Sequence, residues 1–332
     1  MKDKILAVCT ADEAYALRLQ EALSEREAFP FSVYIYTKAG MSRPPGKINL
    51  YLADETFYDR LDDPDVPRIL LRSRENGPRA ERYIWKYQSA EDIRKQLLDY
   101  YSETAEAGTS AAAGRRSTKV IGIFSPVARS IQTSFSLLMG QFLAKHSKVL
   151  YLNLEPFSGL SKLMCDSNNR DLTDLVYYLE GNADRLVYKL ESMVGNVNGL
   201  DYVSPAFSFI DLGQISEENW IRMIETLRSM GNYDYIILDL SEMVCGLLNV
   251  LRKCDLIYTI ADREGFALTR LEQYEELLHS LEYDDIKERT KKYDLPVFKK
   301  LPSSLEELPY SDLAGYVKNV VASSDILGVA AR

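Results

Sequence analysis

Residues 119–134 read KVIGIFSPVARSIQTS. The apolar run Val120–Phe124 follows a lysine and breaks at Ser125-Pro126, and a helix-spaced apolar pattern then runs through Thr133–Lys145. A short apolar run bounded by proline reads as a buried strand, and the pattern after it reads as a helix. Strand, loop and helix in this order aim the amides of the helix N-terminus past the strand's carboxyl end, the setting in which proteins cradle phosphate. Thr133 and Ser134 are residue types that serve a metal at such a helix start, and equally types that merely cap it.

Working outward, the same alternation continues. VLYLNLE (Val149–Glu155), Leu200–Ser204, YDYIILDLS (Tyr233–Ser241) and Leu256–Ala261 read as strands, and VFKKL after Pro296 as a further one. Helices are expected at Asp171–Glu180, Ala183–Val194, Glu217–Met230, Ala267–Leu281 and Ser311–Ala322. Toward the N-terminus a second alternation begins after Lys4. Its strands are ILAVCT, FSVYIYT, INLYLAD, RILLRS and Arg82–Lys86, with helices over Asp12–Glu25 and Ser89–Tyr101. Ser89 and Asp92 stand at capping-box spacing. Residues 102–117, SETAEAGTSAAAGRRS, hold no large apolar side chain and read as a linker. The expected organisation is two α/β domains with doubly wound parallel sheets, 1–101 and 118–332, joined by 102–117.

Composition narrows the function. The 332 residues carry a net charge of −9, so no global basic field draws in nucleic acid. The lysines and arginine of Lys287–Lys300 read as a solvated helix face. Cys9, Cys165, Cys245 and Cys254 are scattered without CxxC spacing, which reads as reduced thiols rather than a disulfide framework or zinc site. No apolar stretch reaches membrane-spanning length, and the expected compartment is the cytoplasm.

The 125–134 loop resembles, in position, the deviant phosphate loop of the MinD/ParA group of P-loop ATPases, roughly S-P-K-G-G-V-G-K-T-T. Val127 stands where that group has its signature lysine, Ala128, Arg129 and Ile131 where it has glycines, and Gln132 where it has the catalytic lysine. Two later motifs support the resemblance: Asn153-Leu154-Glu155-Pro156 against D-x-D-P, and Tyr233–Asp239 against a Y-D-Y-I-I-I-D strand ending in a metal-side acid. The resemblance implies a P-loop NTPase-like fold, with ATP held by Arg129, Ser130, Ile131, Gln132, Thr133 and Ser134. It also implies Mg beside Thr133, Glu155 and Asp239. It implies protein partners and admits a homodimer. Phosphoryl transfer is largely electrostatic, so the loss of both lysines speaks against turnover.

The first domain resembles the receiver domain of response regulators. Asp54 stands at the phosphoacceptor position, with Ser73 and Lys86 as its partners. The metal-binding acid pair falls on Cys9 and Thr10 and is missing, so a pseudo-receiver is expected. A receiver-like domain before a MinD-like one is the arrangement of the CpaE group of pilus-assembly and localisation proteins. The reading is a degenerate, non-hydrolysing scaffold or regulator. Two alternatives stay open: an ATPase built on Arg129, Thr133, Glu155 and Asp239, and a phosphorylation-responsive switch at Asp54.

Overall fold

A computed structural model describes residues 4–25, 29–37, 40–41, 46–75, 78–104, 117–127, 131–163, 170–181, 186–261, 265–296, 298 and 304–323. The chain divides into two compact units, Met1–Gly108 with Val187–Ser192, and Thr109–Leu186 with Met193–Arg332. Both are α/β units built on largely parallel sheets, as the alternating pattern implies. Among the described residues no helix is long and apolar enough to cross a membrane.

The first unit holds β1 (Lys4–Cys9), β2 (Phe31–Thr37), β3 (Gly40–Met41), β4 (Leu50–Asp54), β5 (Arg68–Arg72) and β6 (Tyr83–Trp85) in the order β3-β2-β1-β4-β5-β6. Only β3 runs antiparallel, on β2. The five parallel strands follow the flavodoxin-like order, second-first-third-fourth-fifth. Helices α1 (Glu13–Glu25) and α2 (Ala90–Thr104) touch one another and share one sheet face, where Leu19, Leu23, Ile93 and Leu97 meet Leu6, Val8 and Leu52. Among the described residues, connections cover the other face. Tyr58, in the 3₁₀ turn Tyr58–Arg60, packs there with Ala7, Ala53 and Leu70. The acidic 55–67 connection thus supplies a single turn where a full helix would lie. Helix α2 runs to Thr104, three residues past the expected end, and 105–116 of the expected linker lie outside the described residues.

The second unit holds β7 (Lys119–Ile123), β8 (Val149–Leu154), β9 (Gly195–Val197), β10 (Leu200–Val203), β11 (Tyr235–Leu240), β12 (Leu256–Ala261) and β13 (Thr290–Asp294), ordered β13-β12-β7-β11-β8-β10-β9. All pairings are parallel except β9 with β10. β7, β8 and β11 are apolar runs because both sheet faces are covered. Helix α3 (Ile131–Leu143) packs Phe135, Leu138 and Met139 into the core beside the helix Asp312–Ser323. The chain leaves β7 toward β8 on one side and reaches β12 and β13 on the other. This reversal opens a crevice at the strands' carboxyl ends, where α/β sheets place their sites.

Three expectations change. The edge strand is Thr290–Asp294 rather than VFKKL, whose Val297, Lys299, Lys300 and Leu301 lie outside the described residues. Lys291 and Lys292 therefore sit on that strand, not on a helix face; the helix there is Asp284–Arg289. The short elements β9, Phe209–Gln214 and Leu247–Arg252 were not expected, being too brief to show a period.

Candidate functional site

The carboxyl ends of β7, β8 and β11 bring four of the expected side chains together: Gln132, Thr133, Glu155 and Asp239. Register does much of this. Asp239 pairs with Asn153 on one side and Ile123 on the other. Strand alternation then turns Tyr151, Asn153 and Asp239 to one face. Ser125 and Ser241 fasten this end of the sheet, donating to Ile260 O at 2.6 Å and Leu154 O at 2.8 Å.

Asp239 has no exposed surface. Its Oδ1 accepts from Gln132 Nε2 at 2.8 Å. Its Oδ2 accepts from Tyr151 OH at 2.8 Å and Asn153 Nδ2 at 3.0 Å. Asn153 Nδ2 also lies 2.9 Å from Tyr151 OH. Gln132 is itself buried, and its Nε2 has four oxygen neighbours: Asp239 Oδ1, Leu240 O at 2.9 Å, Glu155 Oε1 at 3.2 Å and Ile123 O at 3.4 Å. An amide nitrogen carries two hydrogens. The two short contacts, to Asp239 and Leu240, use them, and Glu155 is left with a weak donor.

The electrostatics follow. Burial raises Asp239 above the ordinary carboxylate range. Donors from Gln132 and Tyr151, with the Thr133 and Ser136 hydroxyls, offset part of that. Burial, then the carboxylates of Asp239 and Glu242, push Glu155 up to about 7. Burial and Asp239 hold the Tyr151 phenol well above its usual value, so it remains a donor.

Among the described residues, this donor set does not fit a magnesium nucleotide. Both oxygens of Asp239 are occupied by neutral donors, and Gln132 supplies no charge to a phosphate. Among the described residues no three His, Cys, Asp or Glu side chains gather to hold a metal ion. Arg129 and Ser130 lie outside the described residues. Ile131 begins α3 and packs on the core, and Ser134 is half-buried on the same helix. Tyr151 was missed in the sequence. Its signal was present as the alternating polar triplet Tyr151, Asn153, Glu155 inside an apolar strand.

In the first unit, Asp54, Ser73 and Lys86 stand at the carboxyl ends of three neighbouring strands, yet each bonds elsewhere. Asp54 accepts from the backbone N–H of Ala11 at 2.9 Å and of Thr56 at 2.8 Å. Ser73 Oγ donates to Glu55 at 2.9 Å. Burial pushes Glu55 up, but the Ser73 amide and hydroxyl outweigh it and hold the carboxyl below its ordinary range. Lys86 Nζ binds Asp12 at 3.1 Å and lies 4.5 Å from the Tyr15 ring centre. Asp12 meanwhile caps α1 through Tyr15 N–H. The Cys9 thiol, at a position of the missing acid pair, is pushed up to about 12 by burial and then by Asp54.

No family model matches the sequence, and no curated protein matches it. Similar solved structures include the septum site-determining protein MinD from Pyrococcus horikoshii OT3, complexed with Mg-ADP. It is 16% identical, with 64% of this chain and 98% of that chain covered, at a TM-score of 0.45. A ParA family ATPase from Chlorobium tepidum TLS is 19% identical over 63% of this chain and 95% of its own, at a TM-score of 0.42. The MinC:MinD cell division protein complex of Aquifex aeolicus contains a chain 20% identical over 52% of this one and 67% of its own, at a TM-score of 0.39.

Proposed function

We propose that the second unit is a non-hydrolysing relative of the MinD/ParA ATPases, acting as a scaffold or regulator through protein partners in localisation or assembly. The observation that carries this reading is the engagement of Asp239. A working site leaves that carboxylate open to the metal's water shell and aims a lysine at the phosphates. Here Gln132 turns inward and donates to Asp239 and Leu240 O, while Tyr151 and Asn153 take the other oxygen. Neutral donors satisfy a buried charge without a ligand. The localisation or assembly role rests on the domain order, receiver-like before MinD-like, which resembles that of the CpaE group.

The test is phosphate release from ATP by the purified chain with magnesium, beside Thr133→Ala and Asp239→Ala. Turnover at background in all three is expected. Turnover above background that both substitutions abolish would sink the proposal. Asp54 is read alike, as a carboxylate that ties the Ala11 and Thr56 amides. Incubation with a small phosphodonor is expected to leave the intact mass unchanged, and a phosphoryl adduct at Asp54 would restore the switch reading.

A further inference from the structure

Strand β6 ends the first unit's sheet and carries Tyr83, Ile84 and Trp85. Ile84 is fully buried in the cluster formed with α1 and α2. Strand alternation therefore turns Tyr83 and Trp85 to the opposite face, which no helix covers among the described residues. Each is 38% exposed. Their rings meet edge to face, with centres 5.9 Å apart and planes at 84°. Arg72 pairs with Trp85 across the strands, and its guanidinium lies 4.1 Å from the Tyr83 ring centre and 5.9 Å from that of Trp85. Its Nη2 donates to Pro78 O at 3.1 Å, and its Nε has no hydrogen-bond partner.

The charge of this stretch opposes that of the chain. Residues 68–87 hold six arginines and lysines against two glutamates, within a net charge of −9. Arg82 pairs with Glu103 and Lys86 with Asp12. Among the described residues no carboxylate stands at ion-pair distance from Arg72, Arg74 or Arg79. Arg74 acts on Glu55 only at longer range. Arg74 and Arg79 are exposed, Arg74 two residues beyond Arg72 and Arg79 next to the Pro78 carbonyl that Arg72 binds.

We propose that this face binds single-stranded nucleic acid, with two bases on Tyr83 and Trp85 and the neighbouring phosphates on Arg74 and Arg79. Aromatic rings on a sheet face, set in a basic surround, stack unpaired bases with little regard to sequence. The ring angle selects the single strand. Two rings at right angles cannot both extend one base stack, so the bases must splay apart, which a duplex does not allow. Arg72 is a positioning residue: its cation holds the Tyr83 ring from one side and adds positive charge beneath the bases. An acidic peptide would meet the same arginines but gain little from two flat rings. The proposal concerns the first unit and stands apart from the scaffold reading of the second.

Anisotropy of a labelled oligodeoxythymidine, titrated with the full chain in low salt without ATP or magnesium, tests this. Saturable binding is expected, and oligouridine run beside it tells DNA from RNA; binding of either supports the proposal. Two phosphate contacts predict a slope of log affinity on log salt of about −1.4, and Arg74→Ala or Arg79→Ala should each flatten it by about 0.7. Tyr83→Ala and Trp85→Ala should each weaken binding about tenfold. The chain has two tryptophans, and Trp220 is fully buried, so quenching of emission on binding reports Trp85. The two arginines are exposed, and a matching thermal transition in their variants shows an intact fold. The proposal fails if neither oligonucleotide binds, or if a duplex of the same length binds as tightly. It fails equally if Trp85 emission stays unmoved or Trp85→Ala binds as the unaltered chain does. Quenching by polyglutamate as strong as that by the oligonucleotide would assign the face to an acidic protein partner instead.

Discussion

At the residue scale, the candidate site turns on a few polar atoms around Asp239. The Tyr151 hydroxyl donates to it and lies against Asn153, so Tyr151→Phe keeps the ring's packing and strips one donor from a buried carboxylate. The expected cost is about 1–3 kcal/mol in a urea titration, the usual penalty for an unpaired buried polar group. Glu155 sets a pH dependence. Its folded value, about 7, lies above its ordinary 4.5. Its contribution is therefore fully present below pH 4.5 and is lost as pH rises through about 7. Asp239, also raised, acts in the same direction. Glu155→Gln should flatten the fall in urea midpoint between acid and mildly alkaline buffer; an unchanged slope would place the titration elsewhere. Asn153, Glu155 and Asp239 were legible because strand ends are local features. What Gln132 does was not: the same glutamine facing solvent would read identically.

At the element scale, α3 owes its close approach to the sheet to one residue. A Cβ on Gly140 would meet both methyls of Leu200 at 2.8 Å and Ile237 Cδ1 at 3.3 Å. Gly140→Ala gains up to about 1 kcal/mol of helix propensity. Overpacking against a buried leucine costs about 1–3 kcal/mol, so net destabilisation is expected, checked by thermal melting. The helix Glu217–Met230 shows the opposite balance, with both ends readable in the sequence. Ser216 accepts from Asn219 N–H at the start, and Gly231 closes the end at φ 63°. Ser216→Ala should cost about 1 kcal/mol. The strand Thr290–Asp294 escaped notice because an edge strand needs no apolar run. Its residues are polar and partly exposed, and pairing with Leu256–Ala261 alone makes them a strand.

At the scale of the whole molecule, the net charge of −9 and pI near 5.1 predict a solubility minimum near pH 5 and recovery by pH 8, measurable by polymer precipitation. The pH that protonates Glu155 is thus the pH that favours association, and the two effects separate by comparing the unfolding midpoint with turbidity. The parallel sheets and the strand ends that carry polar residues followed from the sequence itself. Alternation, strand length and turn chemistry are short-range properties, encoded where they act. Tertiary structure alone decided where the Gln132 side chain points. Asp239 and Gln132 are 107 residues apart, and whether the glutamine faces a ligand or fills the crevice depends on the desolvation of a carboxylate that only the assembled sheet buries.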